Sequence, residues 1–290
     1  MTARTVFLAI AALAALVPAA QAQTTFGGGT LDSAAVPSVY TPTVGMTVQP
    51  RGAQAAFRFD TTVLCGQRTY DIVERGIVAF DGSQFAAKGA STLAPIKLDY
   101  AWELTATLTG GTITGELRVT GRQRRPGRTA LACSKRPLRK FQLRAIAPPT
   151  GPPAPLRGDA GYFGASDLIV NDGLRAPVVL KATATGSRVT ARWTAVAKCG
   201  SGPREIFVNV SPSMAIREDR SFSRSERFSQ TFADAFVRYA VSFGGRVTTD
   251  GASGTLQLRT AVYNRRGGRL KTRCKSGVRN WTALLPEGSG

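Results

Sequence analysis

The sequence predicts an all-β protein built as two tandem homologous antiparallel β-sandwich (or barrel-like) domains, each with one internal disulfide. Three observations carry this expectation: short alternating segments dominate the chain, one ordered series of residues occurs twice, and four cysteines fall two to each half. The segments AFRFD, DYAWEL, GELRV and KFQLRA in the first half place apolar residues at every second position. So do VTARWTAV, EIFVNV, RYAVSF and GTLQLRTAV in the second. That is the period of a half-buried strand. Gly-rich breaks such as TGGT and TTDG fall between them, where hairpins turn. One stretch departs from the pattern. In SRSERFSQTFADAF, Phe228, Phe232 and Phe236 recur every four residues, and Ser223 with Glu226 resembles a capping box, which predicts a short helical turn.

The internal match is an ordered one. Phe59 and Trp193 each precede a cysteine by six residues, with Arg58 and Arg192 alongside, and Asp71 and Glu205 each follow it by six. Tyr100 stands 15 residues before Gly115, as Tyr239 does before Gly254. Cys133 and Cys274 are then followed by Arg139-x-Phe141 and Arg279-x-Trp281. Asp81 with Phe85 and Asp219 with Phe222 match more loosely. If each copy folds as a self-contained unit, the bonds are Cys65–Cys133 and Cys199–Cys274. Each would close a loop worth up to about 4 kcal/mol in the chain-entropy picture. The aromatics at these fixed spacings are expected in the core, packed near the disulfides.

The segment 148–158 contains Pro148, Pro149, Pro152, Pro153 and Pro155 and reads as a semi-rigid spacer rather than packed structure. Ahead of the first domain, Arg4, an apolar run from Val6 to Val17 and Ala20-Gln21-Ala22 have the form of a secretory signal cleaved after Ala22. The expected organisation is a signal peptide over 1–22, a first domain over 23–147, a linker over 148–158 and a second domain over 159–286. A secreted or envelope-associated protein with no transmembrane anchor after cleavage follows, and an even cysteine count suits disulfides in such a compartment.

Chemistry is narrowed by what is absent. The chain has no histidine, which removes Ser-His-Asp and Cys-His catalysis and His-ligated zinc. Cysteines committed to disulfides leave no thiol nucleophile. No phosphate-binding loop, dinucleotide fingerprint or nucleophile elbow is present, so no cofactor or metal is expected. A carbohydrate-active enzyme using paired carboxylates needs only two acids, and Glu103, Glu116, Asp71 and Asp81 are the candidates. Glu103 and Glu116 align with Ser242 and Thr255, and Asp81 sits in an Asp-Gly turn dipeptide.

Charge is the strongest positive signal. The formal net charge is +20. From Arg118 to Arg144 and again from Arg259 to Arg279 the chain carries a dense run of Arg and Lys without one acid. In this reading each run is a hairpin with an exposed basic tip, the spacer after each second cysteine being a turn. Guanidinium clusters bind phosphate and carboxylate bidentately and raise the local potential. The candidate polyanion-binding residues are Arg124, Arg125, Arg136 and Arg139 in the first copy and Arg265, Arg266, Arg269 and Arg273 in the second. The function expected is a non-catalytic binding or structural protein facing an anionic envelope polysaccharide or other polyanion, without sequence-specific nucleic-acid recognition. An adhesive protein-interaction module is the third possibility.

Overall fold

Alternation becomes strand at nearly every place where the sequence displays it. The computed structural model describes residues 24–30, 44–66, 68–133, 138–169, 173–202, 204–231, 235–264 and 268–286. The signal reading of 1–22 lies outside these residues. The first half forms β1 (Phe26–Thr30), β2 (Val44–Arg51), β3 (Gln54–Cys65), β4 (Arg68–Ala79), β5 (Gln84–Leu93), β6 (Leu98–Thr109), β7 (Thr112–Arg125), β8 (Arg128–Cys133) and β9 (Leu138–Ala145). The second forms β10 (Gly161–Ile169), β11 (Arg175–Ala182), β12 (Arg188–Cys199), β13 (Arg204–Ala215), β14 (Ser221–Thr231), β15 (Ala235–Val247), β16 (Gly251–Asn264) and β17 (Leu270–Leu284).

Each half is one curled antiparallel sheet. The strand order is β4-β3-β2-β1-β9-β7-β6-β5 in the first, with β8 on β7, and β13-β12-β11-β10-β17-β16-β15-β14 in the second. The two orders coincide if β17 stands where β8 and β9 stand. Registers agree as well: Ala106 faces Gly115 and Gly245 faces Gly254, so the 15-residue spacing from each tyrosine closes both hairpins alike. The protein is therefore all-β, with two barrel-like sheets. Strand alternation points one row of side chains into each barrel and the next row to solvent.

Both interiors hold the aromatics that the spacing singled out. Phe59 meets Trp102 edge-on at 5.3 Å, and Trp281 stacks on Phe243 at 5.0 Å. Phe59, Phe141, Trp193 and Trp281 are all buried. The disulfides are Cys65–Cys133, joining β3 to β8, and Cys199–Cys274, joining β12 to β17. One lies in each half, and disulfides of this kind persist in oxidising compartments.

Three local expectations are corrected. The stretch from Ser223 is strand β14, fully paired with β15, not a helical turn. The four-residue recurrence was misleading because Phe228 and Phe236 stand on different strands; Phe232 lies outside the described residues. The basic spacer after Cys274 is not a turn either, since β17 runs through it with a register shift opposite Gln257–Arg259. Nor is the proline segment free of packing. Ala154 donates to Val247 O and Thr249 to Pro152 O, while the Asp250 carboxylate accepts from Thr150 N at 2.7 Å and Gly151 N at 3.0 Å. Leu156 is buried in the second core.

The two barrels pack directly on each other through β1, β2, β10 and β11. Gly27 is required where β1 crosses β10, because a Cβ there would come within 2.5 Å of Gly164 O. Beside this crossing lies a fully buried ion pair: Arg192 of the second barrel donates to the Asp60 carboxylate of the first, and the Thr194 hydroxyl donates to the same carboxylate at 2.6 Å.

Candidate anion-binding face

The alternation of β14 to β17 sorts their side chains into two sets. Phe222, Val241, Leu258 and Cys274 belong to the interior. The opposite set is organised by register. Arg227 faces Ala240, Ala240 faces Arg259, and Arg259 faces Lys275. The adjacent row is Ser229, Arg238, Ala261 and Arg273. Rows beyond these hold Ser225, Ser242, Gln257 and Val278 on one side and Thr231, Phe236, Tyr263 and Leu270 on the other. Arg227, Arg238, Arg259, Arg273 and Lys275 are all exposed. Among the described residues these rows contain no acid.

The shape suits a ligand. Ala240 and Ala261 form a low floor between Arg227, Arg238, Arg259 and Arg273, leaving a shallow depression of about 510 Å³. Arg238 is held in place by ring faces, its guanidinium carbon 5.6 Å from the Phe236 centroid and 5.1 Å from that of Tyr263. Strands stand about 4.8 Å apart, so cations in neighbouring rows lie well within one Debye length of each other and their potentials add.

The equivalent surface of the first barrel differs. There Glu103 stands between Lys88 and Arg118 in register, and Asp99 stands opposite Arg122. Arg118 approaches Glu103 at 3.9 Å, and Arg124 pairs with Asp99 at 2.9 Å. The Thr92 hydroxyl, with the Arg124 charge added, holds the Asp99 carboxyl below the usual range. Asp99 and Glu103 thus make this face a balanced one, whereas the second barrel has Ser242 where Glu103 aligns and leaves its face uncompensated.

The eight candidate arginines separate accordingly. Arg273 belongs to the acid-free face, and Arg269 lies exposed at the start of the hairpin that ends there. Arg124 and Arg125 are exposed at the tip of β7, with Arg124 engaged by Asp99. Arg136, Arg265 and Arg266 lie outside the described residues. Arg139 is a correction. Its side chain is buried, donating to Thr61 Oγ1 and Thr62 O at 3.3 Å each, and it ties β9 to β3. Its counterpart Arg279 donates to Ser276 O at 2.7 Å. The Arg of the repeated Arg-x-aromatic phrase is thus turned to the protein's own carbonyls in both halves, because its strand position points it away from the exposed row.

Arg227 and Arg238 were not found from sequence. The signal was present in the alternation Ser223, Ser225, Arg227, Ser229, whose small polar members mark a solvent-facing row. The aromatic recurrence concealed it.

The carboxylate candidates also take their places. Asp81 accepts from Ser83 N at 2.8 Å and Gln84 N at 2.6 Å, and these bonds hold it below its ordinary range. Asp219 is held low in the same way by Ser221. Both are turn-forming acids. Asp71 stands opposite Thr62 and is exposed at its surface, yet its surroundings, through loss of hydration first and then the Asp60 charge, push it up to about 6 against the opposing pull of Arg192.

No protein-family model matches the chain, and no curated protein matches it. Among solved structures, kievitone hydratase from Nectria haematococca is similar over 91% of this chain and 89% of that chain, at 9% identity and a TM-score of 0.19.

Proposed function

We infer that the protein is an exported, non-catalytic binding module that holds an anionic polymer against the outer face of its second barrel. The two barrels are taken as copies of one domain, of which the second has been specialised by losing its acids. The observation that carries this reading is the set of five exposed cations on β14 to β17 with no acid in their rows. A solvated surface ordinarily mixes signs, as the first barrel does. An array that leaves cations uncompensated costs self-repulsion and is relieved by an external anion. The disulfides suit an oxidising compartment, and the secretory form of residues 1–22 supports export to where acidic polysaccharides and polymer phosphates occur.

The test is binding of the oxidised protein to polygalacturonate, alginate, inorganic polyphosphate and a DNA control, titrated with salt. Five cations neutralising a flexible polyanion predict a slope of log K against log salt of about −3.5, by analogy with single strands. Arg227→Glu with Arg259→Glu is expected to abolish binding at moderate salt, while Arg124→Glu with Arg125→Glu weakens it little. Unchanged binding by the first pair, or equal loss by the second, overturns the assignment.

A further inference from the structure

A wide cleft lies between the two barrels, apart from the basic face. It measures about 1040 Å³ and is open to solvent. Its floor is the outward side of β5, β6, β7 and β9. There Gln84 faces Thr107, Thr107 faces Thr114, and Thr114 faces Gln142, forming one amide–hydroxyl–hydroxyl–amide row across four strands. Among the described residues none of these four side chains has a hydrogen-bond partner within the protein. Three strand spacings make the row roughly 14 Å long. Its donors and acceptors are therefore regularly placed, free and uncharged.

The neighbouring row, Thr105, Glu116 and Lys140, sets one acid directly opposite one base. Of the remaining charges at the cleft, Asp81 is occupied by its own turn and Lys181 donates to Asp159 O. No uncompensated field selects an ion here. The wall opposite is apolar and comes from the second barrel, with Phe163 and Val179. The far end of the Phe163 ring lies against Gly161, where a Cβ would come within 2.7 Å of its Cζ, so the ring needs a glycine there.

We propose that this interdomain cleft binds a neutral oligosaccharide. A pyranose presents an apolar face and a rim of hydroxyls that both donate and accept. Phe163 supplies a surface for the first, and the Gln84–Gln142 row supplies partners for the second. Clefts at domain junctions with few convergent polar groups are a common place for small ligands. Both barrels contribute, so the packing of one on the other creates the site.

The experiment is calorimetric titration of the intact, oxidised protein with xylo-, cello-, malto- and chito-oligosaccharides at low and high salt. At least one series is expected to bind with an affinity that salt does not change. Phe163→Leu, which keeps an apolar side chain over Gly161 but removes the ring, is expected to weaken it about tenfold, equivalent to about 1.4 kcal/mol. Thr107→Val with Thr114→Val, at exposed floor positions, gives an independent loss that does not depend on the packing of the wall. Arg227→Glu with Arg259→Glu leaves it unaltered, which separates this site from the anionic one. Absence of binding in all four series, or binding that survives both cleft variants, overturns the proposal.

Discussion

Removing the acid of the buried pair between the barrels, by Asp60→Ala, is expected to destabilise the protein by about 3–5 kcal/mol. Asp60 and Arg192 are each 0% exposed, so neither charge is hydrated in the folded state. Asp60 accepts from the Arg192 guanidinium and from the Thr194 hydroxyl at 2.6 Å. Truncation removes the counter-charge of a cation that still has to be kept from water, and the desolvation of Arg192 then goes uncompensated. Asp60→Leu combined with Arg192→Met tests the cause, because removing both charges removes the penalty as well. The double variant should lie near wild type, or above it, as buried ion pairs replaced by apolar groups commonly do. Urea unfolding with disulfides intact, followed by tryptophan fluorescence, reads both, since Trp102 reports the first core and Trp193 and Trp281 the second. A loss under about 1 kcal/mol in Asp60→Ala, or a double variant as unstable as the single, would refute the reasoning.

Further outcomes follow from the same geometry. Asp71 should titrate near 6 by NMR in the wild type and lower in Asp60→Asn, because loss of hydration, the main cause of the rise, stays while the added Asp60 charge is gone and Arg192 remains; an unmoved titration would contradict this. Asp250, despite partial desolvation working against it, is held at about 2 by the Thr150 N–H, the Thr248 hydroxyl and the Gly151 N–H. Its folded value lies below its unfolded one, so its contribution is complete above about pH 4 and disappears as the pH falls through 2. The upper bound is about 2 kcal/mol, reduced by its partial exposure. The difference in stability between wild type and Asp250→Asn should shrink over that window. Arg139→Met should cost about 1.5–3 kcal/mol in unfolding experiments by orphaning its partners, yet leave polyanion binding untouched. Cys65→Ala with Cys133→Ala should cost about 2–5 kcal/mol, seen as a lower urea midpoint.

The strands, the two cores and both disulfides were legible in the sequence because they depend on short-range rules. Alternation at a period of two fixes which residues face inward, and the 15-residue spacing from Tyr100 to Gly115 and from Tyr239 to Gly254 fixes hairpin register. Four cysteines, once divided between equivalent halves, have one self-consistent pairing. The basic composition of Arg259 to Arg279 was equally plain, and Arg273 was named from it. Arg139 was misassigned because linear density of charge does not say which way a strand turns its side chains. One residue from the exposed row, the same guanidinium becomes an internal tie.

What only the tertiary structure decided is the meeting of residues far apart in the chain. Arg227, Arg238, Arg259 and Arg273 come from four strands, and their shared surface exists because hairpin registers bring alternate positions into line. The absence of acids there is a property of a face, not of a segment, and Asp99 and Glu103 break the matching face of the first barrel from one side of β6. The Asp60–Arg192 pair and the interdomain cleft depend on packing one barrel against the other, with Gly27 allowing the backbones to approach. Sequence patterning specifies each sheet through local periodicity; the relation between sheets rests on shape and desolvation across 132 residues of separation from Asp60 to Arg192, which no local pattern encodes.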